Sequence, residues 1–302
     1  MNVLIVGPLS AAGEQILEAL AEWPTPPRLA GADVEATVGQ MFEWRGDEHR
    51  IGALDRLLDA PWDAIIVAVP VGEVVLPPGP CVIALPGTGV SAELAPAGAP
   101  IRPGDRLRTP EPLAAIVARV VAALGPAVQA LEVLALDAAS SLGRPAMDEL
   151  RDQTIDLLNF REPPVNVLPR RLAFEVLPRT GEQTDPEGAF ERDFSRLCPT
   201  LAGRVLVERV LVSAFVGVVA RLRIEVAAGV TAAQVSAALE ADPELAVGET
   251  PTLADALGED AIRVGPPVLR GQVLHLWLAA DDTRVGAALL ATKMLARLGA
   301  VG

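Results

Sequence analysis

The stretch VGPLSAAG at positions 6–13 is the first place where residue types and spacing could do chemistry. An apolar run, NVLIV at 2–6, stops at Gly7. A second glycine, Gly13, lies in an amphipathic run over Ala11 to Glu22, with Ile16, Leu17 and Leu20 in helical spacing. A strand, a tight turn and a helix in that order can cradle a dinucleotide pyrophosphate on the N–H groups of the helix N-terminus. Two residues argue against that use. Ser10 stands where the backbone must approach phosphate without a Cβ, and Pro8 has no N–H to offer. Gly7 and Gly13 are therefore read first as glycines that the turn itself demands, since a lone glycine pattern is weak ground for a ligand. Asp33, after the second strand in LAGADVEA, would repel a 2′-phosphate but could accept from a ribose 2′-OH. The expected nucleotide site is thus a vestige made of Gly7, Ser10, Gly13 and Asp33, with no NADP binding and at most weak NAD binding.

Other reactive side chains are few. Cys81 in PCVIALP reads as a core residue whose burial suppresses the thiolate, and Cys198 in RLCPT is the better candidate for an exposed thiol. His275 alternates with Leu274 and Leu276 as a sheet residue does, and His49 in GDEHR reads as solvated. Their separation provides no zinc-ligand spacing, so no metal is expected. Ser140 and Ser141 lie near Asp137, yet no general base accompanies them, so a hydroxyl nucleophile is not expected.

The elements that must position these residues fall into two halves. Continuous apolar runs at NVLIV, DAIIVAVP (63–70) and CVIALPG (81–87) are strands buried on both faces, and VGQMFEWRGDEHRI is a polar hairpin turning at Arg45-Gly46-Asp47. Strands alternating with helical segments imply an open, mostly parallel sheet over the first hundred residues. Proline-rich text from Ala95 to Pro112 marks a boundary. Beyond it come helix Leu113–Leu124, strand 131–138, helix Ala146–Leu158, a strand at LAFEVLP, helix Pro186–Leu197 and two long β runs, RVLVERVLVSAF and VGVVARLRIEVA. A helix in TAAQVSAALEA, a strand in QVLHLWLAA and a last helix in TRVGAALLATKMLARLGA follow. Long strands that succeed one another without a crossover imply a mixed, largely antiparallel sheet. The reading is an α/β protein: a Rossmann-like domain at 1–111 plus 283–302, and an α+β domain at 112–282.

A chain of 302 residues suits two domains. Its net charge of −14 and pI near 4.6 leave no basic footprint for nucleic acid. Half of it is apolar (51%), but no run approaches the roughly 20 residues of a membrane span. The start has no basic region before its apolar run, so no signal peptide is expected. Two cysteines fit the reducing cytoplasm.

Several strings in colinear order resemble the aspartate-semialdehyde dehydrogenase family: VGPLSAAG, LGRPAMDEL (142–150), LAFEVLPRTG (172–181), IEVAAGVTAAQV (224–235), PTLADALGEDAIRVG (251–265) and LHLWLAADDTRVGAALLATKML (274–295). The resemblance implies a Rossmann-like nucleotide domain and a dimerisation domain, hence a homodimer, with an active relative as a second candidate partner. It also implies a covalent cysteine at a helix N-terminus, where the helix dipole favours the thiolate. Here that position is Pro112, in RTPEPLAAIVARVV. The orienting glutamine falls on Asp137, the substrate-carboxylate arginine on Leu211 and the general-base histidine on Val218, and none of these can do the family's chemistry. Glu and Lys of the phosphate-side helix fall near Pro186 and Ala189, and a nicotinamide-side asparagine falls on Leu290. Asp281-Asp282 resembles the family's Asp-Asn pair at the start of the last helix. Losing a nucleophile and base that act as a unit costs on the order of 10⁶ in rate. The chain therefore resembles the Usg-type paralogues that lack the active-site cysteine: a non-catalytic interaction or regulatory protein. The alternative is a divergent NAD(P)-dependent oxidoreductase acting on a small carbonyl substrate.

Overall fold

The computed structural model describes residues 1–96, 98–179 and 185–299. Thr180 and Gly181 of one of the strings above, and Ala300 of the last predicted helix, lie outside the described residues. The chain divides into two compact units, Met1–Pro110 with Ala287–Gly302, and Glu111–Gly286.

The first unit is built on β1 (Asn2–Val6), α1 (Ala11–Ala21), β2 (Arg28–Asp33), β3 (Met41–Trp44), β4 (Asp47–Arg50), β5 (Gly52–Ala53), α2 (Leu54–Leu57), β6 (Ala64–Val67), β7 (Cys81–Ala84), β8 (Glu93–Leu94) and β9 (Arg106–Arg108). Seven of these strands form one sheet in the order β5-β2-β1-β6-β7-β9-β8. Every pairing in it is parallel. Strands β6 and β7, and β1 after Asn2, are apolar throughout because both faces are covered. The chain leaves β1 for β2 on one side and reaches β6 on the other, so the order reverses at β1. The turn after β1 therefore stands at the place where open α/β sheets bind ligands.

The β3–β4 hairpin turns at Arg45-Gly46 as the sequence implies, but it is not polar on both faces. Phe42 and Trp44 are buried, and His49 is half-buried with its ring stacked 5.5 Å from Phe42, which corrects the solvated reading. Alternation within MFEW places those two rings on one side, and that side is core.

The second unit contains α3 (Pro112–Leu124), β10 (Val128–Asp137), α4 (Arg144–Leu158), β11 (Val176–Pro178), α5 (Pro186–Leu197), β12 (Val205–Val212), β13 (Val218–Val226), α6 (Ala232–Glu240), β14 (Leu245–Val247), α7 (Leu253–Ala256), β15 (Ile262–Val264), β16 (Val268–Arg270) and β17 (Val273–Ala280). Its sheet runs β11-β12-β10-β13-β17-β15-β14, with β16 on β17. The β10/β12 and β14/β15 pairs are parallel and the others antiparallel. The two long strands that succeed one another, β12 and β13, do not pair; β10 lies between them. Strand β10 enters the sheet first and returns to β12 only after α4 and α5, the long crossover a parallel pair needs. One face of this sheet, through Leu131, Val133, Leu222 and Leu276, packs on Ile116, Val120, Phe190, Phe194 and Leu239 of the helices. On the other face Leu134, Leu136 and Val219 are half-buried, and Leu206 and Trp277 are exposed.

LAFEVLP is a strand only over its last three residues. Gln153 of α4 accepts the N–H groups of Leu172 and Ala173 at 2.8 and 3.1 Å and so holds the first part as a turn. After β17 a π-helical turn, Arg284–Ala288, leads into α8 (Leu289–Gly299), which packs with α1 and β7 in the first unit. Among the described residues no helix is long and apolar enough to cross a membrane.

Candidate functional site

In the first unit, the turn after β1 is closed by its own side chain. Ser10 is the N-cap of α1: its Oγ donates to the Gly7 carbonyl at 2.8 Å and accepts from the Gly13 N–H at 3.0 Å. Gly7 has φ +83°, and a Cβ there would meet Val69 Cγ1 at 2.4 Å. A Cβ on Gly13 would lie 2.1 Å from the Gly7 carbonyl oxygen. Both glycines thus answer to packing, Gly7 against Val69 beyond β6 and Gly13 against the turn's own backbone. Asp33 ends β2, and its carboxylate is engaged locally, accepting from the Val34 N–H and the Thr37 hydroxyl, each at 2.6 Å. Leu290 sits half-buried in the first turn of α8.

In the second unit, three of the positions implied by the resemblance line up in one row. Asp137, the last residue of β10, is the cross-strand neighbour of Leu211 on β12 and of Val218 on β13. Leu211 and Val218 are core residues, each within a hydrophobic cluster. Pro112 opens α3, and Gly286 packs directly on it: a Cβ on Gly286 would fall 2.6 Å from Pro112 Cβ. Pro186 opens α5, and Ala189 lies within that helix.

The residues that dominate this place were not anticipated. Arg209 lies two residues before Leu211 on the same buried face of β12. Its guanidinium grips Asp137 in bidentate fashion, Nε to Oδ2 at 2.7 Å and Nη2 to Oδ1 at 2.9 Å, while Nη1 reaches Glu111 Oε1 at 2.9 Å and the Pro186 carbonyl at 3.4 Å. Arg179 adds a second guanidinium on Asp137 Oδ2 at 3.0 Å and also donates to Ser141 Oγ at 3.2 Å. Glu111 caps α3 by accepting the Ala114 N–H at 2.8 Å, and its own N–H donates to Asp193 of α5 at 2.8 Å. All of these side chains are buried or nearly so. Burial by itself would lower the Arg209 pKa, but the Glu111 and Asp137 carboxylates outweigh it and hold the guanidinium above its ordinary value. Leu211 and Val218 remain apolar core positions, while two guanidinium groups that the sequence reading did not single out lie at this place, both bonded to Asp137. The one signal in the sequence is Arg209 itself, a charge on the inward phase of an alternating strand.

Ser140 pairs with Asp282 and not with Asp137. Asp281 caps the start of the π-helical turn, accepting from Thr283 and Arg284. Cys81 is fully buried, and burial, reinforced by the Asp105 carboxylate, pushes its thiol up to about 11. Cys198 is half-buried rather than exposed, and burial raises its thiol too. His275 is half-buried on β17, 3.1 Å from Arg221; burial first, then Arg221, Arg270 and Arg223, lower its pKa.

Comparison with known proteins places this geometry. The profile described as semialdehyde dehydrogenase, dimerisation domain, matches residues 120–285. The chain belongs to the semialdehyde dehydrogenase family. Within this family it is 31% identical over 227 residues to a USG-1 protein homolog of Azotobacter vinelandii, covering 71% of this chain and 61% of that one. It is 30% identical over 173 residues to an aspartate-semialdehyde dehydrogenase of Rickettsia bellii, covering 53% and 51%. The matched part thus spans about half to three fifths of those relatives. A probable aspartate-semialdehyde dehydrogenase from Pseudomonas aeruginosa superposes with a TM-score of 0.83 at 25% identity, over 98% of this chain and 97% of that one. Aspartate semialdehyde dehydrogenase II from Vibrio cholerae gives 0.82 at 20%, over 99% and 98%, a likeness of fold.

Proposed function

We propose that this family member is a catalytically silent homodimer that acts by interaction or regulation. The reading rests on the second unit's ion cluster: Asp137 fills the grip of Arg209 and Arg179 from within, beside a Pro112 that has no nucleophile and is covered by Gly286. A guanidinium already bound in bidentate fashion to a buried carboxylate takes a substrate carboxylate only by leaving its partner uncompensated, which costs several kcal/mol. The same reasoning applies to the first unit. Ser10 spends its hydroxyl within the turn, Pro8 offers no N–H and Asp33 is bonded locally, so the vestige Gly7, Ser10, Gly13 and Asp33 binds no NADP and at most weak NAD.

The homodimer reading is supported by the dimerisation-domain match; the half-open sheet face is mixed, with Leu134, Leu136, Val219 and Trp277 beside Glu132, Glu208, Arg221 and Arg223. Two unpaired cysteines suit the cytoplasm. An active relative sharing the fold is the candidate second partner.

The test is turnover. Purified protein given a semialdehyde with phosphate and NADP or NAD, or an acyl phosphate with the reduced cofactor, is expected to stay at background. Turnover that Asp137→Ala or Arg209→Ala abolishes would overturn the silent reading in favour of a divergent oxidoreductase. Sedimentation giving the single-chain mass of 31.5 kDa at micromolar concentration would overturn the dimer.

A further inference from the structure

The half-open face of the second unit's sheet orders its charges across neighbouring strands. Cross-strand neighbours form rows on it. One row is apolar: Val210 of β12, Leu136 of β10, Val219 of β13 and Ala279 of β17. The next runs Glu208, Leu134, Arg221 and Trp277 across the same strands, and the one after it runs Leu206, Glu132, Arg223 and His275. In both charged rows the carboxylate comes from the side of β12 and β10, and the arginine from β13. Glu132 and Arg223 pair within the chain at 2.7 Å. Glu208 and Arg221 are exposed, and among the described residues neither has an ion-pair partner; Arg221 reaches His275 Nδ1 at 3.1 Å. That ring feels the positive side: after burial, Arg221, Arg270 and Arg223 lower its pKa.

Covering this face with a purely apolar surface would strip water from Glu208 and Arg221 and return no partner, which is costly. A fitting occupant offers an anion and a cation in mirrored order beside an apolar row. A second copy of the chain does so. A two-fold axis that packs a face on itself lies in the plane of the contact. Set along the strands, between β10 and β13, it lays every row on the same row of the partner with the strand order reversed. Leu136 then meets Val219, apolar on apolar, while Glu132 meets Arg223 and Glu208 comes one strand away from Arg221. Sheets pack about 10 Å apart and strands about 4.8 Å apart, a gap that a glutamate and an arginine together bridge.

Beyond these rows Arg204, just before β12, and Glu225, on β13, share a cavity with Glu132 and Arg223. Their signs are reversed, and the same axis again brings opposite charges toward each other. Set across the strands, the axis would lay β10 on β10 and β13 on β13 and reverse the rows. A charged row then falls on itself or on its charged neighbour, arginine on arginine, or else on the apolar row.

We propose that a second copy docks on this face with its strands aligned to those of the first, Glu208 of each chain pairing with Arg221 of the other. The inference rests on the homodimer reading and adds to it the face, the orientation and the pairs. Alignment within about 30° is the ordinary way in which two sheets meet. Each chain carries a net charge of −14, so two copies repel at long range, and the pairs select the orientation against that repulsion.

The experiment is sedimentation of wild type, of Glu208→Arg and Arg221→Glu each alone, and of the two variants mixed in equal amounts. Both positions are exposed, so neither change disturbs the core. Alone, each variant sets like charges together at both symmetry-related pairs and is expected to dimerise at least about tenfold more weakly than wild type. Mixed, one chain of each kind restores an opposite-charge pair on both sides, and a heterodimer of wild-type strength is expected. Single variants that dimerise as tightly as wild type, or a mixture no tighter than its components, would overturn this docking and leave the homodimer in place. Wild type at the single-chain mass would remove the homodimer reading and this inference with it.

Discussion

The turn after β1 and the ion cluster at the end of β10 are held by different kinds of constraint. In the turn, the backbone shape persists: Gly7 and Gly13 stay because a Cβ at either would strike Val69 or the Gly7 carbonyl, whatever the turn binds. At the ion cluster the backbone also persists, but its side chains form a closed set in which Asp137, Arg209, Arg179 and Glu111 answer one another. A glycine required by sterics is fixed whether or not a ligand is bound. Buried polar side chains are fixed by the groups that satisfy them.

Arg209→Ala should have the largest effect. It leaves Asp137 short of two bonds and Glu111 short of one in a buried place, so unfolding by denaturant should show a loss of about 3–5 kcal/mol. A loss under about 1 kcal/mol would mean that the cluster is as weakly coupled as surface charge. Next comes Gly13→Ala in the turn, where a clash with backbone should cost about 1–3 kcal/mol by the same measurement. Parity of the two variants would erase the contrast between a steric and an electrostatic constraint.

Ser10→Ala, which removes the cap of α1, should cost about 1 kcal/mol, and Ser10→Gly only a few tenths. The glycine variant sharpens the comparison. With Pro8 and a locally bonded Asp33 still in place, calorimetry should find no micromolar affinity for NAD or NADP; saturation there would make Ser10 the single block in the turn. The smallest effect concerns Cys81. With its pKa near 11 it is thiolate at pH 8 only on the order of one part in a thousand, so thiol reagents should modify Cys198 first.

The strands at NVLIV, DAIIVAVP and CVIALPG were legible because a strand covered on both faces must be apolar at every position. The starts of α3 and α5 were legible at Leu113 and Pro186; α3 takes in Pro112 as well, since proline suits the first turn of a helix. Asp137 was recognised as a site position, but its partners were not. Arg209 escaped because a shift of two along a strand returns to the same face, so alternation alone does not separate position 209 from 211. The pairing of β10 with both β12 and β13 escaped for a related reason: adjacency in sequence favours a hairpin, and only the crossover through α4 and α5 puts β10 between them. Phe42 and Trp44 signalled a buried hairpin face by their spacing, yet the surrounding charges made the segment read as polar.

By itself the sequence determined which segments alternate, which are apolar throughout, where helices begin and which reactive groups are missing, because these depend on neighbours within a few residues. Tertiary structure alone decided that Asp137 meets Arg209 72 positions away and that Ser140 meets Asp282 142 positions away. The physical reason is that a buried charge or hydroxyl takes its state from groups brought to it in space. Whether Asp137 is a site residue or a counter-ion is a property of those neighbours.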